Sequence, residues 1–344
     1  MEKTADFEAI EKVLEKILER PIGFGDMVAE MTKTGRLWKS GGWSFVEMLA
    51  GQMNTHRETI GALILLLMSA AILSTVSKAF KSRQISDMGF YVIYLLLFLI
   101  MMKSFTACYA LTEQVIADLI GFMKVLMPAY LMAVAAAAYR ATAVVYYEAF
   151  FVMIYYIQKM VAAILLPAIR VYVIFTILGY LGETDFLGKS RNLLKRMILW
   201  SMKAMIAVTA GIQMIQGMLT PAVDKFKQTL FSRGIAGLGS VGNVTKNVTD
   251  VILGSGVLLK NGVGAAAALL IVVICLMPAI QVMSYMIFYQ LLAAISEPVS
   301  DQRLTNMISN VGDGIGLLVK LLFTVCAMFL LTISIVSVTT GGMR

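Results

Sequence analysis

Long runs of apolar residues, separated by short polar or basic stretches, fill the chain after residue 60. A helix needs about 20 predominantly apolar residues to cross the hydrocarbon core of a bilayer. The pattern therefore predicts an all-α, polytopic transmembrane protein with about eight spans. We place these spans near residues 60–77, 88–102, 125–138, 141–158, 160–181, 197–219, 263–295 and 314–338.

A shorter amphipathic pattern comes before the first span. Four apolar residues at helical spacing form one stripe within residues 2–20, and Pro21 then ends the pattern: Phe7, Ile10, Leu14 and Ile17. Such spacing predicts an amphipathic helix. It is either a coiled-coil arm for a partner or a helix that folds back on residues 24–55. The second interpretation is favoured because barely two heptads are present. We assign residues 1–59 to an N-terminal amphipathic and juxtamembrane helical region.

Residues 220–262 form a glycine-rich insert between the apolar blocks at 60–219 and 263–344. The following apolar residues lie on one face of a predicted helix: Val241, Val244, Val248, Val251 and Leu258. Lipid does not account for a valine stripe opposite polar residues such as Asn247 and Asp250. We therefore predict that the stripe is an assembly face covered by protein.

Four of the six prolines share the pattern L-x-P-A, in which a proline lies inside or beside an apolar block: Pro128, Pro167, Pro221 and Pro278. Proline removes a helical hydrogen bond and kinks the helix. Broken helices surround binding sites in many transporters, but kinks also help helices to pack. These positions are candidate helix breaks, and the packing interpretation is favoured.

The composition agrees with residence in a membrane. The chain is 59% apolar and 15% charged, whereas a soluble domain is nearer half apolar and a quarter charged. Residues 1–59 carry 8 Lys and Arg against 10 Asp and Glu, and residues 60–344 carry 21 against 11. The basic loops at 78–83 and 189–196 predict an outside N-terminal region, although the basic insert then violates the positive-inside rule. No nucleic-acid motif is present, so we expect lipid and not nucleic acid as a partner.

Several charged residues lie within or beside the predicted spans. Ionisable groups in hydrocarbon are costly unless they pair, face water or reach the interface. Four of them form a candidate intramembrane charge network, with the single acid pairing to one of the cations: Arg140, Glu148, Lys159 and Arg170. The alternative is that the cations extend their charged ends to the membrane surface.

The sequence lacks a convincing catalytic or cofactor motif. Gly237–Gly242 matches GxGxxG, but neither the preceding strand nor the required acidic residue is predicted. Gly312-Asp313-Gly314 is only faintly similar to aspartyl intramembrane proteases, since a second aspartate inside a span is lacking. His56 is the one histidine, and the three cysteines lie in apolar stretches like small buried side chains. We therefore expect no catalytic residues, no cofactor and no metal site.

Five stretches, four of them within or beside the insert, together resemble the stage III sporulation protein AE family: Leu219–Lys225, Gly237–Gly242, Val248–Gly254, Leu259–Gly264 and Glu297–Asp301. The resemblance covers about residues 60–338. It implies a multi-pass protein of the bacterial mother-cell membrane around the forespore. It also implies a non-enzymatic role as a subunit of the channel, or feeding-tube, complex that links the two cells.

The resemblance further implies partners. These are other membrane subunits of the same sporulation complex and, indirectly, a forespore membrane protein; a homo-oligomer is a further expectation. Members of the family usually start with a leader, and residues 1–20 lack the apolar segment of a signal peptide. The competing hypothesis, based on the prolines and the intramembrane charges, is a stand-alone secondary transporter or permease.

Overall fold

A computed structural model gives the architecture of the chain. It describes residues 7–18, 24, 28, 61, 83–138, 141–181, 187–235, 242–298 and 301–339. Side chains are described for most of these residues, except in 7–9, 18, 83–87, 131–151, 153–154, 213, 215–261 and 334–339.

Within these ranges the chain is helical. The helices are α1 (Phe7–Leu18), α2 (Arg83–Ala138), α3 (Ala141–Gly179), α4 (Gly188–Ile235), α5 (Gly242–Ser296) and α6 (Gln302–Thr339). The described residues contain no strand. The prediction of an all-α protein is confirmed for this part of the chain.

The last of these helices, α6, is the centre of the bundle. It packs against α2, α3, α4 and α5, and its contact with α5 is the most extensive between any two of the described helices. In its most apolar stretch 72% of the residues are buried, against 33% in α2. A helix that is apolar on all sides belongs in the interior. The run from Gly314 to Val319, in which every residue is buried, has this character.

Helices α3 and α5 run antiparallel to α6. Asn310 of α6 bonds to Tyr180 near the end of α3, while Gly314 lies beside Val173, further back along α3. Helix α5 joins α6 through a short connection in which residues 299–300 are not described. Buried threonines inside the helices bond to the carbonyl four residues earlier, at 2.7–2.9 Å, so their hydroxyls are satisfied locally.

The amphipathic N-terminal helix is confirmed as α1. Ile10 and Leu14 on its apolar stripe are completely buried, and the helix packs against α2. Lys16 interacts electrostatically with Asp118 of α2. The helix therefore folds back on its own chain, where its contact is with α2. Contact with residues 24–55 stays a prediction, because most of that region lies outside the described residues.

Four helices are long and apolar enough to cross a membrane: those containing Met88–Tyr130, Tyr155–Gly179, Gly262–Ser296 and Gln302–Ile333. These four, within the described residues, support a polytopic membrane protein. The predicted number of eight spans is not confirmed. Apart from residue 61, the predicted span at 60–77 lies outside the described residues. Helix α4, which contains the predicted span 197–219, is not among the four.

Two divisions made from the sequence were wrong. Residues 141–179 form one continuous helix, although Lys159 had been used to separate two spans. Lysine is a good helix former, and the Lys159 side chain is exposed, so its charge does not interrupt the helix. Likewise, residues 88–102 and 125–138 belong to the single helix α2 of 56 residues, about 84 Å at 1.5 Å per residue.

The outer faces of the helices expose many large apolar side chains, including Met88, Trp200 and Ile295. A soluble monomer rarely exposes contiguous apolar patches of this kind, which normally mark contact with lipid or another protein. Together with the apolar composition, these faces indicate contact with a bilayer.

Candidate functional site at Asp313

Three glycines of α6 allow two neighbouring helices to approach closely. A Cβ atom added at Gly314 would overlap Val173 Cγ2 of α3. Cβ atoms at Gly312 and Gly316 would lie only 3.1 Å from Tyr289 Cβ and 3.0 Å from Met286 Sδ of α5. The sequence Gly312-Asp313-Gly314 thus serves helix packing. Small residues have this role at helix contacts in membranes.

Asp313, between two of these glycines, connects three helices. Lys195 of α4 donates a hydrogen bond from Nζ to Asp313 Oδ2. Gln290 of α5 donates from Nε2 to Asp313 Oδ1 at 3.1 Å. Hydrogen bonds to an ionised carboxylate are about twice as strong as neutral ones. The carboxylate of α6 therefore links α4 to α5 across the central helix.

The contact with α5 is reinforced by Ser309, one turn before Asp313. Gln290 Nε2 also lies 3.3 Å from the Ser309 carbonyl oxygen, and Ser309 Oγ donates to Gln290 Oε1 at 3.4 Å. Both ends of the Gln290 amide are thus engaged by α6. The carboxamide orients the Asp313 carboxylate toward Lys195 because it occupies the other oxygen.

The ion pair is only partly buried. The Lys195 and Asp313 side chains are 31% and 36% exposed. Asn306, Asp313, Lys320 and Phe323 of α6 are all partly or fully exposed and follow a spacing of 7, 7 and 3, which places them on one face. We call this face the α6 stripe. Asp313 is the residue of this face that bonds to Lys195 of α4 and Gln290 of α5.

Further polar contacts tie α3 and α5 to the same part of α6. Asn310 Nδ2 donates to Tyr180 Oη at 3.0 Å, and the guanidinium of Arg191 in α4 lies 4.7 Å from the centre of the Tyr180 ring. The hydroxyls of Ser296 and Thr305 lie 3.4 Å apart. Buried polar groups rigidify a structure when they are bonded to one another, as these are. The arrangement is suited to holding helices in register.

The predicted charge network is not tested as a unit. Arg140 lies outside the described residues, and only the backbone of Glu148 is described. Lys159 is exposed, and Arg170 is exposed with its guanidinium 4.3 Å from the centre of the Tyr109 ring of α2. Cation–π contact thus accounts for Arg170. Pairing with Glu148 stays a prediction.

The predicted assembly face lies in the first half of α5. The backbone is helical from Gly242 onward and continues without interruption into the apolar stretch after residue 262, so a separate amphipathic insert is not confirmed. The following residues have a helical backbone, but their side chains are not described: Val244, Val248, Val251 and Leu258. Val241 lies outside the described residues. A protein-covered valine stripe therefore stays a prediction.

The four prolines do not end helices. Helices α2, α3 and α5 run through Pro128, Pro167 and Pro278, and Pro221 lies within the bounds of α4. A continuous helix is compatible with a bend, so the predicted kinks stay predictions.

Sequence reasoning missed the connection at Asp313. Lys195 was assigned to a basic loop, Asp313 was considered only as a protease-like residue, and Gln290 was not singled out. One signal was available. An aspartate between glycines, followed by a strongly apolar run, needs a partner when its helix is buried. The identity of that partner depends on which helices are neighbours.

The described residues contain no group of three or more His, Cys, Asp and Glu residues that could hold a metal ion. Cys108, Cys275 and Cys326 are free thiols, and all three are buried, which confirms their prediction as small buried side chains.

Comparison with known proteins identifies the family. The family model for stage III sporulation protein AE matches residues 22–340, which extends further toward the N-terminus than the resemblance found from motifs. The chain is 23% identical over 301 residues to stage III sporulation protein AE of Bacillus subtilis (strain 168), covering 87% of this chain and 74% of that protein. No solved structure matches. Because the family model covers most of its length, the chain belongs to the stage III sporulation protein AE family.

Proposed function

We propose that the chain is a non-enzymatic, multi-pass membrane subunit of the sporulation channel complex that links mother cell and forespore. Its location would be the mother-cell membrane around the forespore. The observation that carries this proposal is the family match over residues 22–340. Four apolar helices within the described residues support a membrane subunit.

The geometry at Asp313 supports a structural role. Lys195, Asp313, Gln290 and Asn310 bond to groups on neighbouring helices. Polar side chains used in this way hold helices together and are not available to coordinate a solute. This arrangement favours a scaffold or channel subunit over a stand-alone transporter.

Affinity purification tests membership of a complex. The tagged chain is isolated in mild detergent from sporulating cells, and an unrelated multi-pass protein with the same tag is the control. We expect the other membrane subunits of the complex to co-purify, identified by mass spectrometry. Recovery of the chain alone, together with solute uptake by the pure protein in liposomes, would contradict the proposal and support a transporter.

The valine stripe of α5 supplies a sharper test of assembly. A charge at Val248 would have to be desolvated wherever protein covers the stripe, at a cost of several kcal/mol. We expect Val248→Asp to lower recovery of the partner subunits more than tenfold while membrane insertion stays normal. Asn247→Asp, which adds the same charge on the predicted polar face, is the matched control. Equal recovery from both variants would exclude an interface at Val248.

A further inference from the structure

Helix α4 carries more positive charge than its surroundings neutralise. Lys195, Arg196 and Lys203 lie within nine residues of one another on α4. Asp313 pairs with Lys195, but within the described ranges neither Arg196 nor Lys203 forms an ion pair. Two cations are therefore available to an external anion.

These cations line a cavity. A space of about 470 Å³ is bordered by Asn192, Lys195, Arg196, Leu199, Trp200 and Lys203. The described residues that border it all lie on one face of α4, so the space is an open groove along the helix. Apart from Lys195, which pairs with Asp313, the polar groups that border it are two cations and one amide, and these favour an anion with several acceptor oxygens. The planar guanidinium of Arg196 suits a phosphate in particular, since it can donate two parallel hydrogen bonds.

An apolar surface adjoins the cavity on the same helix. Leu193, Met197 and Trp200 are all more than half exposed. Their spacing of four and three residues places them on one face of α4, beside the basic residues. Trp200 belongs to both surfaces, and tryptophan prefers the level of the lipid headgroups. A ligand that fits both surfaces combines an anionic head with an apolar tail.

We propose that this α4 groove binds an anionic phospholipid. The lipid phosphate lies between Arg196 and Lys203, and an acyl chain follows the stripe of Leu193 and Met197. Basic residues clustered on a helix at the membrane surface attract anionic lipid headgroups in this manner. The proposal does not depend on assembly with other subunits, because every residue that carries it belongs to α4 of a single chain.

Binding of a fluorescent short-chain phosphatidylglycerol to the pure chain, in a neutral detergent, tests the proposal. Phosphatidylcholine with the same chains is the comparison lipid. Each basic residue near an anionic lipid contributes roughly 1 kcal/mol, which is about fivefold in affinity. We therefore expect the double variant Arg196→Gln, Lys203→Gln to bind phosphatidylglycerol about 20- to 30-fold more weakly.

The matched control is the double variant Lys103→Gln, Lys159→Gln. It removes the same charge from exposed positions on α2 and α3, and we expect its affinity for phosphatidylglycerol to change less than about twofold. Elution volume and thermal unfolding midpoint show whether each variant is folded. Glutamine at exposed positions preserves the helix. If the double variant unfolds, the single variant Arg196→Gln replaces it in the binding assay, with an expected weakening of about fivefold.

Three results would overturn the proposal. They are equal binding of the two lipids by the original chain, equal weakening in both double variants, and displacement of the fluorescent lipid by millimolar inorganic phosphate. The last result would assign the groove to a free phosphate anion, because an acyl chain on the apolar stripe holds the lipid more tightly than phosphate alone.

Discussion

Among the glycines that the structure describes, Gly314 is the one at which an added methyl group should disturb the bundle most. Its Cβ would overlap Val173, and overpacking of this kind costs about 1–3 kcal/mol. We expect Gly314→Ala to lower the free energy of unfolding by that amount, measured by thermal unfolding in detergent. At Gly121 nothing lies within 4 Å, so Gly121→Ala is the control. It should leave stability unchanged or raise it by up to about 1 kcal/mol. Equal effects at the two sites would contradict the close contact of α3 and α6.

The ion pair at Asp313 is tested by a double-mutant cycle of Asp313→Asn and Lys195→Gln. Both side chains are about one-third exposed, so we expect a coupling energy of only about 0.5–1 kcal/mol, decreasing as salt is added. A cycle that pairs Asp313→Asn with Lys159→Gln is the control. Lys159 lies 14 residues before Val173, about 21 Å along α3, and independent sites give additive effects. The same coupling energy in both cycles would show that the pair contributes nothing specific.

The sequence shows the residues around Asp313 but not the partner of its carboxylate. The glycines on both sides of Asp313 were visible, as was the rarity of an acid beside an apolar run. Lys195, however, is 118 residues away from Asp313. Nothing local in the sequence specifies that α4 and α6 are neighbours, so the pair could not be predicted.

At the scale of the element, Asp301 determines where α6 begins. Its Oδ1 accepts a hydrogen bond from the Arg303 backbone N at 2.8 Å, and its carbonyl oxygen accepts one from Leu304 N at 3.0 Å. This is the geometry of an N-cap, whose removal costs about 1 kcal/mol. We expect Asp301→Ala to lower the free energy of unfolding by that amount. Asp301→Asn, a residue that also caps helices well, should retain most of the stability in the same assay. An alanine variant as stable as the asparagine variant would show that the cap is dispensable.

The helices themselves were largely predictable because their cause is local. Apolar periodicity located α1, and long apolar runs located α2, α3, α5 and α6. The predicted division of α2 and of α3 into two spans each was wrong because charged residues were treated as the ends of helices. Lys159 in α3 and the charges of α2 between Lys103 and Lys124 lie within continuous helices. A charged side chain alters which face a helix exposes but leaves its backbone hydrogen bonds intact.

For the whole molecule, the position of α6 at the centre could not be predicted. Its sequence is no more apolar than that of α5, since the mean hydropathies of their most apolar stretches are 2.3 and 2.7. Its glycines explain the central position, because they permit close contact with α3 and α5 at once. Small residues on several faces of a helix let it pack at the centre of a bundle, and the mean hydropathy of the helix does not reveal this property.

The central position of α6 has a consequence for biosynthesis. A ribosome makes α2, α3, α4 and α5 before the helix against which all four pack. While α6 is still being translated, the surfaces that it will cover face lipid, the translocon or an insertion chaperone. Quality-control proteases that recognise unassembled membrane segments would therefore have their best access to the nascent chain before Asp313 enters the bilayer, and slow codons within the α6 coding sequence would lengthen that exposure.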